Sequence, residues 1–113
     1  MVTTASAGAE ESAQPPVPDR VALGPAFPNP FTKATTIVYQ LPVGAKTTLK
    51  VYAANGRLVS TPVNGWQGAG FHSVHWSTTE GGAALPLGVY LCQLEVTGTG
   101  GVVRQERKLV LAR

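Results

Sequence analysis

From residue 21 onward, apolar and polar residues alternate with a period of two, which is the pattern of β-strands that bury one face. Between Thr47 and Ala53, for example, Leu49 and Val51 share one face and Lys50 lies on the other. No window shows a helical period. The alternating segments are residues 35–41, 47–53, 57–63, 71–76, 88–96 and 102–112. With one short edge segment ahead of them, the pattern predicts about seven strands.

Glycine and asparagine mark the predicted turns between these strands. Asn55-Gly56 predicts a hairpin, because both residue types tolerate a positive φ. A second turn is predicted over Asn64-Gly65 and Gly68-Ala69-Gly70, and a third over Gly98-Thr99-Gly100-Gly101. Turns every 8–12 residues are typical of an all-β, immunoglobulin-like sandwich of about seven antiparallel strands in two sheets. A small β-barrel is the main structural alternative.

Composition divides the chain into a linker and one domain. Residues 1–20 consist mostly of Ala, Ser, Thr, Glu and Pro, and they predict a flexible linker with little to bury. Residues 21–113 are long enough to form one folded domain with a core of its own. Charged residues make up only 13% of the chain, against about 25% in typical soluble proteins, while it holds 13 Gly and 9 Pro. This balance favours short strands joined by tight turns.

The charge of the chain is concentrated at its C-terminal end. The net charge is +3, and residues 104–113 alone hold four basic residues against Glu106. Such an end indicates either an interaction surface for an acidic partner or the solvated face of a last strand. No stretch resembles a signal peptide or a transmembrane segment. If the domain is exported, either a leader lies far upstream or the domain itself acts as an address.

Residues that could carry catalysis or bind a metal ion are scattered. His72 and His75 are three positions apart, which places them on opposite faces of a strand and prevents joint chelation. Cys92, the one cysteine, shares a face with apolar neighbours and is interpreted as a buried side chain. Glu80, Glu95 and Glu106 do not cluster. The sequence predicts no catalytic residue, no metal ligand and no cofactor, and hence a protein that is not an enzyme.

The sequence also bears on three other kinds of ligand: phosphate, nucleic acid and carbohydrate. The Gly-rich segments lie between strands, without the helix N-terminus that a phosphate-binding loop requires. The basic residues are not interleaved with aromatic ones, which argues against nucleic acid. Trp66, predicted in a turn, and Trp76, at the end of a strand, could stack on sugars. A carbohydrate-binding or cell-attachment module of a multidomain secreted enzyme therefore remains an alternative, against core and sheet-edge roles for the two rings.

A set of ordered motifs resembles the C-terminal sorting domains of the type IX (Por) secretion system, which share the Ig-like fold of the flagellar hook-capping protein. The motifs cover residues 27–111, nearly all of the predicted domain. They are Pro28-Asn29-Pro30-Phe31 with Thr35-Thr36-Ile37-Val38-Tyr39, Leu49-Lys50-Val51-Tyr52-Ala53-Ala54-Asn55-Gly56-Arg57-Leu58-Val59, Gly70-Phe71-His72-Ser73-Val74-His75-Trp76, Leu87-Gly88-Val89-Tyr90 and Lys108-Leu109-Val110-Leu111. Two acidic residues of the family pattern are replaced by Ala53 and Ser77.

These motif residues also have predicted folding roles. Seven are expected to define the fold: Pro28, Asn29, Pro30, Asn55, Gly56, Arg57 and Trp76. The two prolines suit an extended, kinked segment at the first edge of a sandwich, since proline cannot donate to a ladder. Gly88 is expected to permit a close approach between backbones. The missing acidic residues at Ala53 and Ser77 are expected to weaken two turns slightly.

The resemblance implies a secretion and cell-surface sorting signal, as found in Bacteroidota. The implied partners are an outer-membrane translocon, a sortase-like peptidase and an upstream cargo domain of the same chain. The domain would pass through the periplasm to the cell surface or the medium, as a monomer without a transmembrane segment. Five residues are expected to be recognised by the machinery: Gly88, Tyr90, Arg104, Arg107 and Lys108. A hook-capping-type scaffold, which implies self-association, and a passive structural spacer remain further alternatives.

Overall fold

The structure is a computed structural model, and it describes residues 18–79, 85–98 and 100–113. The described residues contain seven strands, which are β1 (Ala22–Leu23), β2 (Ala34–Leu41), β3 (Ala45–Ala53), β4 (Leu58–Gln67), β5 (Gly70–Ser77), β6 (Gly88–Gly98) and β7 (Gly101–Leu111). They form a three-stranded sheet in the order β1-β2-β5 and a four-stranded sheet in the order β4-β3-β6-β7. All strand pairings are antiparallel. The two-sheet sandwich is confirmed, and the barrel alternative is wrong.

The core consists of the alternating apolar residues on the inner faces of the two sheets. In β3, Leu49 and Val51 are fully buried, and their cross-strand partners Leu94 and Cys92 on β6 are fully buried as well. Trp76 of β5 is the largest fully buried side chain. The other buried apolar side chains are Leu23, Ala26, Phe31, Ile37, Tyr39, Leu41, Ala45, Val63, Tyr90, Val96, Leu109 and Leu111.

Strand β4 is longer than the sequence predicts. Asn64-Gly65 was expected to form a turn, yet both residues lie within β4 and pair with Thr48 and Thr47 of β3. That expectation is wrong because cross-strand pairing with β3 continues to Gln67, and glycine tolerates the φ of 150° found at Gly65. Trp66 consequently lies on a strand and not in a turn.

The hairpin between β3 and β4 differs in detail from a two-residue turn. The Gly56 N–H donates to the Ala53 carbonyl, and the Ala53 N–H donates to the Arg57 carbonyl. Ala54 and Asn55 are therefore the central residues of the turn, and Gly56 follows with a φ of 90°. This is a three-residue loop that ends in a left-handed glycine. Beside it, the Asn55 Oδ1 atom accepts a hydrogen bond from the Arg57 N–H.

One expectation about β6 is also corrected. Nothing lies within 4 Å of the position that a Gly88 Cβ would occupy, so Gly88 does not serve a close approach. Its φ of 143° is the reason for glycine there. In β7, Val103 lies on the same face as Leu109 and Leu111, but it is 42% exposed because the start of β7 extends beyond the core.

Some predictions fall on residues that the structure does not describe. The linker prediction falls largely on residues 1–17, although Pro18, next in the chain, is buried. Glu80, most of the loop before β6, and Thr99 also lie outside the described residues. The β6–β7 hairpin is confirmed on either side of Thr99, since Gly98 pairs with Gly101. Among the described residues, no helix is long and apolar enough to cross a membrane.

Candidate functional site

The first motif of the resemblance, Pro28–Phe31, is hydrogen-bonded to the last strand, β7; we call this segment the clasp. The Asn29 Nδ2 atom donates to the Lys108 carbonyl at 2.8 Å, and Asn29 Oδ1 accepts from the Val110 N–H at 2.9 Å. A side-chain amide carries a donor nitrogen and an acceptor oxygen side by side, so Asn29 pairs with the edge of β7 as a neighbouring strand would. The peptide bonds before Pro28 and Pro30 are both cis.

Backbone hydrogen bonds continue the clasp beyond Asn29. The Phe31 N–H donates to the Val110 carbonyl, and the Ala112 N–H donates to the Phe31 carbonyl, both at 2.9 Å. The Phe31 ring is buried and contacts Trp76 edge-on, with ring centroids 5.8 Å apart. The segment was expected to be an extended first edge of the sandwich. Instead, β1 precedes it, and the clasp covers the C-terminal end of β7.

Two other side chains of β7, those of Gln105 and Arg107, bond to the backbone at β1. The Gln105 Oε1 atom accepts from the Leu23 N–H at 2.7 Å, while Gln105 Nε2 donates to the Val21 carbonyl at 3.1 Å. Arg107 Nε donates to the Leu23 carbonyl at 3.0 Å. These bonds satisfy backbone groups of β1 that no strand pairs, and an unpaired group of that kind is costly when buried. The Arg107 side chain therefore has a partner within the domain, the Leu23 carbonyl of β1.

The opposite face of β7 is charged and faces outward; we call Arg104, Glu106 and Lys108 the β7 outer face. Arg104 Nε lies 2.7 Å from Glu95 Oε2 on β6, and the Gln93 amide donates to Glu106 at 3.0 Å. Lys108 is exposed, and its cross-strand neighbour is Leu91. Exposed ion pairs contribute little to stability. The β7 outer face is thus free to change partners at low cost.

Tyr90 and Gly88 lie on β6, the strand next to β7, and they differ in accessibility. Tyr90 is buried, its hydroxyl donates to the Pro86 carbonyl at 2.6 Å, and its ring lies 6.2 Å from the Trp76 ring. Burial raises the pKa of Tyr90 above its ordinary value of 10.0, and the nearby positive charge of Arg57 offsets part of that rise. Gly88 is exposed at the start of β6, opposite Leu111.

The five predicted recognition residues fall into two groups. Arg104 and Lys108 are exposed on the β7 outer face, and Gly88 is exposed at the start of β6, opposite Leu111. Tyr90 packs in the core and Arg107 bonds to β1. Sequence reasoning did not single out Gln105, because a glutamine within an alternating strand carries no local signal of a partner 82 and 84 positions away.

The two tryptophans occupy different environments. Trp76 is fully buried, so it cannot stack on a ligand in the folded protein. Trp66 is 71% exposed and lies on the outer face of the four-stranded sheet, opposite Lys46. A Cβ added at Gly44 would approach the Trp66 ring to 2.5 Å, so the ring rests directly on that glycine. Only Trp66 is placed where a sugar could reach it.

The histidines lie on opposite faces of β5, as the alternation predicts. His72 stacks on Tyr39 with the ring centroids 4.9 Å apart, and its Nε2 is 2.8 Å from the Gly68 carbonyl oxygen. His75 is exposed on the other face. Within residues 18–79, 85–98 and 100–113, no three His, Cys, Asp or Glu side chains come together as a metal site.

Cys92 gives a prediction about pH. Burial raises the pKa of its thiol from 9.0 to about 12. As the pH rises, the unfolded chain thus loses the thiol proton before the folded protein does. The stability that comes from burying the neutral thiol is therefore complete below about pH 9 and decreases above it. We expect the free energy of unfolding to fall between about pH 9 and 10, with a slope approaching ~1.4 kcal/mol per pH unit, in urea titrations. Cys92→Ala should lower stability but remove this slope. The same alkaline decrease in both proteins would contradict the assignment.

Comparison with known protein families gives one match. Residues 28–101 match the family described as the FlgD Ig-like domain, a stretch that runs from the clasp to the first residue of β7 and covers more than half of the chain. A comparison with curated proteins gives no match. The matched stretch contains β2 to β6 and thus strands of both sheets, in agreement with the sandwich described above. The chain belongs to the FlgD Ig-like domain family.

Proposed function

We propose that this domain is a non-catalytic C-terminal secretion and cell-surface sorting signal, recognised by the type IX secretion machinery. The family match supports the fold and ends at residue 101, before nearly all of β7. The proposal therefore rests on the ordered motifs, which begin in the clasp and end with Lys108-Leu109-Val110-Leu111 in β7.

The observation that carries the proposal is the contact between the first and last of these motifs. Asn29 and Phe31 bond to the backbone of Lys108, Val110 and Ala112, about eighty positions further along the chain. Residues in the first and last motifs therefore lie next to one another, as a single recognition surface would require. On the same strand, the exposed side chains of Arg104 and Lys108 provide positive charge for a partner.

The β7 outer face is the surface that we propose the machinery contacts. Its Arg104–Glu95 ion pair is exposed, so exchanging Glu95 for a partner carboxylate costs little. Arg107 and Tyr90 act indirectly in this proposal, since they hold β1 and the core in place. Removal of either side chain would change export by weakening the fold.

An export assay tests the proposal. Residues 20–113 are fused to the C-terminus of a periplasmic reporter in a host that has the type IX apparatus. We expect the reporter to reach the cell surface or the medium, and to stay in the periplasm when the domain is omitted. Replacing Arg104 and Lys108 with alanine should reduce surface delivery at least several-fold, because both charges leave the proposed contact face.

A matched pair of substitutions controls for charge. Lys46→Ala with Lys50→Ala removes two positive charges from the same sheet, on β3 and away from β7. This variant should be exported like the unaltered fusion. Circular dichroism and protease resistance of each purified fusion establish that the domain is folded. A folded, unaltered domain whose reporter remains periplasmic would refute the proposal.

The exposed Trp66 supports a second candidate, a carbohydrate-binding module. In that case a soluble polysaccharide would change the fluorescence of the folded domain, and Trp66→Phe would abolish the change because Trp76 is buried. Surface delivery would then not depend on the secretion apparatus. The two candidates are thus separated by the export assay and by a fluorescence titration.

A further inference from the structure

Strand edges can pair with other chains, and three of the four sheet edges in the described residues are obstructed. At β1, the side chains of Gln105 and Arg107 occupy the backbone groups of Leu23. At β7, the clasp covers the C-terminal end of the strand, and the part before it carries charged side chains, which disfavour pairing with another chain. At β4, the register shifts twice, and Pro62 lacks an N–H.

The fourth edge, β5, has none of these obstructions. Its eight residues, Gly70–Ser77, include no proline and no Asp, Glu, Lys or Arg. It pairs with β2 at eight consecutive positions without a register shift. A long, regular and uncharged edge is the kind that natural proteins usually protect.

Hydrogen bonds on β2 establish which β5 groups face outward. Thr36 exchanges two backbone hydrogen bonds with Phe27, and the Val38 carbonyl accepts from Gly24, so these β2 residues point away from β5. Ladder bonds alternate along an antiparallel pair. The residues of β5 opposite Thr36 and Val38, which are His75 and Ser73, therefore direct their N–H and C=O groups to the free edge, and so does Phe71.

The side chains of these three residues lie on an outer face where neither β5 nor the facing residues of β2 include Asp, Glu, Lys or Arg. Phe71 is 64% exposed, and Ser73 and His75 are exposed beside it. Their neighbours on β2 are Thr36, Val38 and Gln40. A second copy of β5 brought to this edge would thus meet no Asp, Glu, Lys or Arg side chain among the facing residues.

We propose that β5 pairs with β5 of a second copy of the chain, antiparallel and about a two-fold axis at Ser73. In this register Ser73 lies opposite Ser73 of the second copy, and Phe71 lies opposite His75 of the second copy. The three outward-facing residues of each chain then form six backbone hydrogen bonds, and two three-stranded sheets become one six-stranded sheet. We assign a second copy as the partner because an isologous pair requires the same strand from both chains to be an open edge without Asp, Glu, Lys or Arg. Among the described strands, β5 meets that requirement.

The contact is small, so the dimer is weak. Six backbone hydrogen bonds are fewer than the roughly ten of a standard interface, and we expect a dissociation constant on the order of 100 μM. The chain is then monomeric at low micromolar concentration. This inference does not depend on the sorting function, because the edge of β5 and the β7 outer face belong to different sheets. A strictly monomeric chain would leave the export proposal standing.

Charge substitutions at the two-fold axis test the inference in the full 113-residue chain. Sedimentation equilibrium from about 10 μM to about 1 mM should show dimer formation by the unaltered protein. Ser73→Lys and Ser73→Glu should each lower the association constant at least tenfold, because two like charges meet at the axis. An equimolar mixture of the two variants should restore a heterodimer. As controls, Asn64→Lys and Asn64→Glu place the same charges on β4 and should dimerise normally.

Amide hydrogen exchange gives a readout at single residues. The amides of Phe71, Ser73 and His75 should become protected as the concentration rises, whereas those of His72 and Val74 are bonded to β2 and protected throughout. Three results would overturn the inference: a monomer at about 1 mM, a dimer unaffected by the Ser73 substitutions, or failure of the mixed variants to associate. A folded Ser73 variant, verified by circular dichroism, makes each of these results decisive.

Discussion

Replacing Trp76 with alanine should lower the free energy of unfolding by about 3–5 kcal/mol, the largest effect expected of any single substitution considered for this domain. Trp76 is fully buried, and its ring contacts Phe31 of the clasp and Tyr90 of β6 edge-on. It therefore joins the three-stranded sheet, the four-stranded sheet and the clasp. Since domains are stable by only about 5–15 kcal/mol, much of the total would be lost.

Phenylalanine at the same position is the matched control. The Trp76 indole N–H is buried and has no hydrogen-bond partner among the described residues. Trp76→Phe keeps an aromatic ring and removes that donor, so it should cost less than half as much as alanine. Urea unfolding followed by circular dichroism measures both. An alanine variant within ~1 kcal/mol of the unaltered protein would show that Trp76 does not join the two sheets.

Replacing Asn29 with alanine should cost about 1–3 kcal/mol, the second largest effect, even though Asn29 is exposed. The side chain makes two hydrogen bonds to the β7 backbone, and each contributes about 0.5–1.5 kcal/mol net. Asn64→Ala, at an exposed asparagine on β4, should stay within about 0.5 kcal/mol. Equilibrium urea unfolding of both variants gives the comparison.

Aspartate at position 29 separates the two hydrogen bonds. A carboxylate still accepts from the Val110 N–H but cannot donate to the Lys108 carbonyl, and it repels that oxygen. Asn29→Asp should therefore be destabilised at pH 7. It should recover relative to the unaltered protein as the pH falls through its folded-state pKa, because the protonated form can donate. A deficit independent of pH would contradict the proposed pairing with β7.

The sequence predicted best what depends on local pattern. Alternation placed Leu49 and Val51 on the inner face of β3, and both are fully buried. It also placed His72 and His75 on opposite faces of β5, as found. Side-chain direction along a strand has a period of two whatever the partner strand is, so these predictions need no long-range information.

Strand length and turn type were less predictable. Asn64-Gly65 has the composition of a turn, but continued pairing with β3 holds it in β4. The residue after Trp76 was expected to weaken a turn, yet the Ser77 Oγ atom accepts from the Thr79 N–H at 3.2 Å. A serine hydroxyl thus replaces the acidic residue of the family pattern at this turn. In both places cross-strand or side-chain contacts override the local composition.

At the candidate site, too, the sequence did not predict the contacts between residues far apart in the chain. The basic charge at the end of the chain was visible in the sequence, but the partners of each residue were not. Arg107 bonds to Leu23 and Arg104 pairs with Glu95, while Lys108 is exposed. The Arg107–Leu23 contact spans 84 positions, and no period or motif specifies it. Geometry was needed to separate residues that hold the fold from those free to bind.

Comparing export of one fusion protein in two strains tests the central claim most directly. The reporter fused to residues 20–113 is expressed in a type IX-competent strain and in the same strain without its outer-membrane translocon, and the surface fraction of reporter is measured. The account predicts surface reporter in the first strain and periplasmic reporter, with the domain folded, in the second. Equal surface fractions in the two strains would contradict it.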